Sequence, residues 1–270
     1  MRKIEVCCTS VEDVREAFYG GAVRVELCSA ISCGGVTPSH GLIAEVMSEV
    51  ELLARTNPHR KLDVNVLIRP REGSFCYSEP EVRTMLEDIA FCRKAGVDGA
   101  VIGALTAEGY IDVDVCRRML SAAAGMSTTF HRAFDVCRNP EQAMAQIIDM
   151  GFSRVLTSGM KPCAMDGAEF IAKLVKQASP FLTVMPGSGI NPGNIAEIER
   201  ITGASEFHST ARCPVPDRNM HIVPELGFDE PEAKPSDILA QTSAVRHILR
   251  TSRDVVAELT GIQNQSCGDV

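Results

Sequence analysis

The chain alternates short segments that have the period of a β-strand with longer segments that have the period of a helix. Near its start, Glu5-Val6-Cys7 and Glu26-Leu27-Cys28 repeat one pattern, an apolar residue between a glutamate and a cysteine. Successive side chains of a strand point to opposite faces, so each glutamate shares a face with its cysteine, and Arg24 joins the second pair. An ion taken out of water costs several kcal/mol unless it is paired, so proteins rarely line their interior with charges. If the apolar faces of these strands pack under helices, the charged and thiol side chains face the space that the strands enclose. We therefore expect the function to lie in that space.

Four predicted strands begin in the same way, with a glycine, a small or apolar residue, a polar residue and then the strand. Each glycine follows a helix-like segment and suits the left-handed residue that ends a helix. These glycines are Gly21, Gly96, Gly151 and Gly203, and the other strand candidates are residues 3–7, 62–68, 127–131 and 181–185. Together they give eight strands, with the glycine-led strands at the even positions.

Helical patterns fill the gaps between these strands, for example at residues 79–94 after Ser78, 140–150 after Asn139, and 167–177. Strict alternation of strand and helix, eight times, predicts an α/β fold, a single-domain (β/α)8 TIM-type barrel. A doubly wound open sheet is the alternative, but the Gly-x-Gly-x-x-Gly turn after the first strand is missing.

The barrel is predicted to span residues 1–260. Its least regular part is the proline-rich segment 209–236, which is too long for an ordinary turn and is interpreted as an excursion that could be a lid, an oligomer contact or a loop. A last helix is expected around residues 237–260, and residues 261–270 are expected to form a flexible tail.

Composition limits the partners and the compartment. A net charge of −8 argues against nucleic acid or an anionic membrane as a partner, and no apolar run has the length of a membrane span. The first twenty residues carry charges where a signal peptide needs an apolar run. The cysteine count, eleven, is odd and there is no Cys-x-x-Cys, so we expect reduced thiols and a cytoplasmic protein.

The ends of the first two strands carry the most distinctive chemistry, since barrel active sites lie at the carboxyl ends of the strands. Neighbouring strands are about 4.8 Å apart, so Cys7 and Cys28 could reach one small ion. Two thiolates select a soft metal, above all Cu(I). The alternative is that both cysteines are small core residues. The charged side chains of the interior also allow two interpretations. They either form a structural ion network or include a catalytic acid or base, for which Glu26 is the candidate. The set consists of Glu5, Arg24, Glu26 and Glu206.

Cationic and glycine residues at the other strand ends suggest an anion site. Arg69 and Arg71 could clamp a carboxylate or phosphate, or form the salt-bridged base of a loop. Gly187 and Gly189 follow the seventh strand and could hold a phosphate through backbone N–H groups, or form a tight turn. The remaining candidates are His131 for acid–base work, and Arg132 and His208 for anion binding.

Six segments closely resemble the CutC copper-homeostasis family. They are residues 4–7, 24–28, 68–71, 129–135, 156–159 and 206–208, in order along nearly the whole chain. The resemblance implies a cytosolic TIM-type barrel that forms homo-oligomers, a dimer or a tetramer, with Cu(I) held by Cys7 and Cys28. Ser188 departs from the family pattern, which usually has glycine there, and Cys8 is a thiol that the pattern does not require and that faces away.

Two functions follow as hypotheses. The first is a cytosolic copper-homeostasis protein that binds one Cu(I) ion through Cys7 and Cys28. The second is a barrel enzyme of unassigned reaction that acts on a small phosphorylated or carboxylated metabolite, with the anion held by Arg69 and the Gly187–Gly189 turn. In that case His131 or Glu26 would transfer the proton.

Overall fold

Eight parallel strands form one sheet in the order β7-β6-β5-β4-β3-β2-β1-β8, which curls into a nearly closed barrel in this computed structural model. The structure describes residues 2–216 and 247–261. The barrel strands are β1 (Lys3–Cys8), β2 (Arg24–Leu27), β3 (Asp63–Leu67), β4 (Gly99–Ile102), β5 (Ser127–Phe130), β6 (Arg154–Thr157), β7 (Thr183–Pro186) and β8 (Glu206–Ser209). The predicted (β/α)8 barrel is confirmed.

Helices follow the strands and cover the outside of the barrel. They are α1 (Val11–Gly20), α2 (His40–Thr56), α3 (Glu79–Lys94), α4 (Val113–Ala122), α5 (Pro140–Asp149), α6 (Ala168–Ala178), α7 (Ile195–Thr202) and α8 (Arg253–Thr260). Short 3-10 helices occupy Ile31–Cys33 and Arg132–Val136. Among the described residues, no helix combines the length and the apolar character that crossing a bilayer requires.

Local sequence explains where the helices start and stop. The Ser10, Ser39 and Asn139 side chains accept hydrogen bonds from the backbone N–H groups of the first turns of α1, α2 and α5. At the other ends, the four repeated glycines have φ between 67° and 104°, which an L side chain rarely adopts. The glycine-led repeat is therefore the joint between a helix and the next even-numbered strand, as predicted.

The two faces of each strand differ as the alternation predicts. Outward side chains such as Ile4, Val6 and Cys8 of β1 pack in the apolar layer beneath the helices. Inward side chains of β1 and β2, which include Glu5 and Arg24, are also buried, but they are polar or charged. The barrel interior is therefore the polar compartment of the fold.

The expected helix at residues 237–260 is wrong for part of its length. Residues His247–Thr251 form a strand, β10, that pairs antiparallel with β9 (Arg212–Pro216), and only Arg253–Thr260 are helical. A five-residue segment with only Ile248 and Leu249 apolar suits a strand or a helix equally, and pairing with the segment that leaves β8 decides between them. Most of the predicted excursion 209–236 and of the tail 261–270 lies outside the described residues.

The helix α8 packs against α1 at a close approach. A Cβ atom added to Gly20 would lie 2.5 Å from Cβ of Val256. The last helix is thereby joined to the first, and it covers the outside of β1, the strand that carries Cys7.

Candidate functional site

The two predicted thiols meet at the carboxyl end of the barrel. Cys7 lies near the end of β1, and the parallel register pairs it with Glu26 of β2, two residues before Cys28. The Sγ atoms of Cys7 and Cys28 are 3.3 Å apart, and both side chains are almost fully buried. Both cysteines are free thiols. The structure thus brings together the two side chains that the strand pattern placed on one face.

An acid–base cluster adjoins the thiol pair. One ligand atom each of Cys7, Glu26 and His208 lie within 4.8 Å of one another, an arrangement that could hold a metal ion. The Nδ1 atom of His208 is 2.9 Å from Oε1 of Glu5, and its Nε2 atom is 3.5 Å from Oε2 of Glu26. Both ring nitrogens therefore face carboxylates. The role of His208 in anion binding stays a prediction, since the ring also lines the cavity described below.

A buried ion network lies beneath this cluster. Arg24 donates from Nε to Glu5 and from a terminal nitrogen to Glu206 at 2.7 Å. Arg154 donates to the same Glu206 oxygen at 2.8 Å, and the Asn65 amide donates to Glu5 at 3.3 Å. Because every charge in the network has a partner, the barrel can hold it out of water. The network closes the barrel below the thiols.

The electrostatics of the cluster separate its two glutamates. Burial raises the pKa of Glu5, but the hydrogen bond from His208 and the charge of Arg24 outweigh it and lower the pKa to about 2. Burial raises the pKa of Glu26 to about 7, against the opposing charge of His208. Burial lowers the pKa of His208, but the charge of Glu26 and the hydrogen bond to Glu5 leave it raised. Glu5 is thus a permanent anion, whereas Glu26 can exchange a proton near neutrality.

The thiol of Cys7 resists ionisation in the absence of a metal. Its hydrogen bond with Cys28 is the largest cause, followed by burial and the charge of Glu26, and together they raise its pKa well above the ordinary value. The Cys7 thiol therefore holds its proton at neutral pH. A metal that binds to this sulfur must displace the proton.

Stability is expected to fall as the pH rises from about 5 to about 8. The pKa of Glu26 is about 7 in the folded state, above its ordinary value of 4.5, so the folded protein holds the extra proton in this range. His208, whose pKa is also raised, acts in the same direction. The stabilisation from Glu26 is complete below its unfolded-state pKa and is lost as the pH rises through its folded-state pKa. Glu5, whose pKa is lowered, stabilises the folded protein above pH 4.5, and this contribution is lost only in acid, as the pH falls from 4.5 towards about 2.

Urea unfolding at both ends of this range tests the prediction. In the wild type, the free energy of unfolding should differ between about pH 5 and about pH 8. Glu26→Gln should reduce this difference by about 2 kcal/mol, because one pKa unit corresponds to about 1.4 kcal/mol. Glu51→Gln, on the exposed part of α2, is the control and should leave the dependence unchanged. A Glu26→Gln protein with the wild-type pH dependence would contradict the raised pKa.

The predicted Arg69 and His131 line the same cavity as the thiols. Arg69 donates from Nη1 to the carbonyl oxygens of Cys33 and Gly35, and from Nη2 to that of Gly73. The Nδ1 atom of His131 accepts from the Ala133 N–H at 3.2 Å. In the neutral ring, Nε2 therefore carries the proton.

His131 is suited to donate a hydrogen bond rather than to act as a base. Burial, helped by the charge of Arg69, lowers the pKa of His131 to about 3, so the ring is neutral at pH 7. Its Nε2 atom is buried and has no partner among the described residues. The ring lines the cavity described below.

Two predicted anion-binding residues lie outside the cavity. Arg71 binds the Glu81 carboxylate and the carbonyl oxygens of three loop residues, so it forms the base of the loop before α3. Gly187 packs against Leu156 and His208, where a Cβ atom would collide with the leucine side chain at 2.5 Å. Neighbouring groups already occupy the Arg71 donors and the space beside Gly187, whose N–H donates to the Thr157 carbonyl at 2.9 Å. This placement favours the alternative interpretations, a loop base for Arg71 and a tight turn for Gly187.

Arg132 and Gly189 do line the cavity. Arg132 also donates to Asp135 at 2.8 Å and to Oγ of Ser158 at 2.9 Å. Beside Gly189, Ser188 has a φ of 77°, a conformation that favours glycine. Its hydroxyl donates to the Pro162 carbonyl at 2.9 Å and helps to hold this conformation.

One cavity of about 310 Å³ lies at the carboxyl end of the barrel. Its polar and charged lining includes Cys7, Glu26, Cys28, Arg69, His131, Arg132 and His208, and its apolar lining consists mainly of Ile31, Leu67, Phe75, Leu156 and Ile190. Sequence reasoning missed Phe75, whose ring lies 4.9 Å from the Arg69 guanidinium and 4.9 Å from the His131 ring. An aromatic residue close behind Ile68-Arg-Pro-Arg71 was the available signal.

Comparison with known proteins identifies the family. The sequence model of the CutC family matches residues 2–213. The chain is 48% identical to a CutC family protein of Parabacteroides distasonis over 214 residues, which are 79% of this chain and 84% of the relative. It is 43% identical to a CutC family protein of Pasteurella multocida over 210 residues, 78% of this chain and 82% of the relative.

Solved structures agree with the sequence comparison. The CutC protein of Streptococcus agalactiae, described as a candidate copper homeostasis protein, superposes with a TM-score of 0.71 at 31% identity. The match covers 78% of this chain and 99% of that chain. Thiamine phosphate pyrophosphorylase of Pyrococcus furiosus, with a TM-score of 0.54 and 16% identity over 96% of this chain and 94% of its own, shares the fold alone. The chain belongs to the CutC family.

Proposed function

We propose that this protein takes part in copper homeostasis by binding one Cu(I) ion between Cys7 and Cys28. The observation that carries the proposal is the distance of 3.3 Å between the two sulfur atoms, at the edge of a cavity. Cu(I) is a soft ion that accepts low coordination numbers, and thiolates are the ligands it prefers. Small outward movements of the side chains would admit an ion between them.

The charges around the thiols support a monovalent ion. Two thiolates and one Cu(I) ion carry a net charge of −1, which a buried site must balance. His208 can supply the positive charge, since its ring lies within 4.8 Å of the Cys7 thiol and its pKa is raised. Glu26 can hold a proton near neutrality and so need not add a second negative charge.

The state of the cysteines supports a cytoplasmic location. All ten cysteines in the described residues are free thiols; Cys76 is exposed, and Cys33, Cys163 and Cys213 are partly exposed. Free exposed thiols persist in a reducing compartment. The proposal also includes self-association into a dimer or a tetramer, as the resemblance implies, and light scattering on purified protein measures this directly.

A Cu(I) competition titration under anaerobic conditions tests the metal site. With bicinchoninate as the competing chelator, we expect one tightly bound ion per chain. X-ray absorption at the copper edge should show two sulfur neighbours and no short oxygen neighbour. Several equivalents bound with similar affinity would contradict the proposal, because they would show that scattered thiols bind the metal. A site that prefers Zn(II), with nitrogen or oxygen in its ligand shell, would contradict it as well.

A further inference from the structure

Arg69 is a buried cation that has no carboxylate partner in the described part of the chain. Its side chain is 6% exposed, and all three of its hydrogen bonds go to backbone carbonyl oxygens. The other buried arginine of the site, Arg24, is bound to two glutamates. Buried charges are normally paired, so the positive charge of Arg69 calls for an anion that the chain itself does not supply.

His131 adds a directed donor on the same wall. The side chain is 4% exposed, and its Nε2–H has no acceptor among the described residues. Phe75 contacts both His131 and Arg69, which places the two side chains around one aromatic ring. A buried donor without a partner loses free energy unless a ligand or water accepts its hydrogen bond.

The turn after β7 presents further donors to the cavity. Ser188, Gly189 and Ile190 all line it, and the hydrogen bonds of residues 2–216 and 247–261 include none from their backbone N–H groups. Successive N–H groups in such a turn form a concave site for anionic oxygen atoms.

The cavity is too large for a copper ion alone. Its volume of about 310 Å³ lies at the lower end of the range for small-molecule sites, about 300–1,000 Å³. A Cu(I) ion between the two thiols would fill only a small part of it. The apolar lining, which includes Leu67, Phe75 and Leu156, suits a carbon skeleton rather than a bare inorganic ion.

From these features we infer that the cavity binds a small organic anion, whose carboxylate or phosphate group is held by Arg69 and His131. The apolar residues would contact its carbon skeleton, and its other end would lie towards the thiols. This ligand is distinct from copper, so the inference stands or falls independently of the metal proposal. It gives the barrel a small-molecule ligand, as a barrel enzyme would require.

Calorimetric titration of the metal-free full-length protein, at constant ionic strength, tests the inference. The probes are glycerol 3-phosphate, inorganic phosphate and lactate, with glycerol and lactamide as uncharged counterparts. We expect saturable binding of at least one organic anion and none of its uncharged counterpart. Stronger binding of glycerol 3-phosphate would identify a phosphate site, and stronger binding of lactate a carboxylate site. Absence of saturable binding by all the anions would overturn the inference.

Two arginines on one loop provide a matched pair of variants. Arg69→Met should weaken anion binding at least about tenfold, as expected for loss of a charged hydrogen-bonding partner. Arg71→Met removes a guanidinium two residues away that faces Glu81, and it should leave the affinity unchanged. Equal losses in both variants would contradict a specific role for Arg69.

A His131 variant keeps the test decisive if Arg69→Met does not fold. In His131→Asn the side-chain oxygen can still accept from the Ala133 N–H, while the Nε2–H donor is lost. This variant should fold and bind the anion about tenfold more weakly. The titrations are made on metal-free protein, so their result does not depend on copper binding, and a failure of the copper site is distinguishable from a failure of this inference. Unchanged affinity in His131→Asn would overturn the assignment.

Discussion

Replacing Cys7 and Cys28 together with serine is expected to abolish tight Cu(I) binding while the protein still folds. Serine offers a hard hydroxyl oxygen in place of a soft thiolate, so the ion loses both of its preferred ligands. Changes to groups around a metal ligand typically cost 10–100-fold in affinity, and loss of the ligands themselves should cost more than about a hundredfold. Competition titration measures the affinity, and circular dichroism with urea unfolding measures the fold.

The control must remove the same number of thiols from elsewhere in the chain. Cys33→Ser/Cys76→Ser does so at partly and fully exposed positions, and it should bind Cu(I) as the wild type does. Each single variant, Cys7→Ser or Cys28→Ser, should bind far more weakly than the wild type, since one thiolate remains. If the control pair loses as much affinity as the Cys7/Cys28 pair, copper is bound by exposed thiols and the proposed site is wrong.

The strand alternation predicted the interior of the barrel because it depends on local geometry alone. Glu5, Cys7 and Glu26 point inward because successive strand residues alternate, whatever the rest of the chain does. The glycine-led joints were predictable for a similar reason, since a left-handed residue at a helix end is a local requirement. Once the inward faces are known, the close approach of Cys7 and Cys28 depends only on the register in which β1 pairs with β2.

Roles that depend on distant partners were not predictable from local patterns. His208 faces Glu5 because β8 pairs with β1 in one register, which joins residues 203 positions apart. Arg71 and Arg69 look equivalent in sequence, but the loop fold gives Glu81 to Arg71 and leaves Arg69 with carbonyl oxygens only. The strand at His247–Thr251 is a third case, because its state is set by a pairing with Arg212–Pro216.

The second large effect is expected at the base of the barrel, where Arg24→Met should cost about 3–5 kcal/mol in the free energy of unfolding. Methionine keeps much of the side-chain volume but removes the charge that lies between Glu5 and Glu206. Glu206 keeps Arg154, whereas Glu5 keeps only His208 and the Asn65 amide. The variant therefore leaves a buried carboxylate with too little compensation, and urea unfolding at pH 7 measures the loss.

An exposed ion pair provides the comparison for Arg24. Arg200 binds Glu197 at 2.6 Å on α7, and the two side chains are 70% and 43% exposed, so Arg200→Met should cost no more than about 1 kcal/mol. Equal costs at the two positions would show that burial of the network is unimportant.

A second substitution and a change of pH separate lost charge pairing from lost packing. Adding Glu5→Gln to Arg24→Met removes the uncompensated carboxylate and should recover part of the stability, whereas it cannot restore packing. In the single variant the pKa of Glu5 no longer benefits from Arg24, so the carboxyl takes up a proton at a higher pH than in the wild type, where the pKa is about 2. The wild type loses the contribution of Glu5 as the pH falls below 4.5, and the variant loses less. The stability difference between the two proteins should therefore shrink in acid, and a difference that stays constant with pH would assign the cost to packing instead.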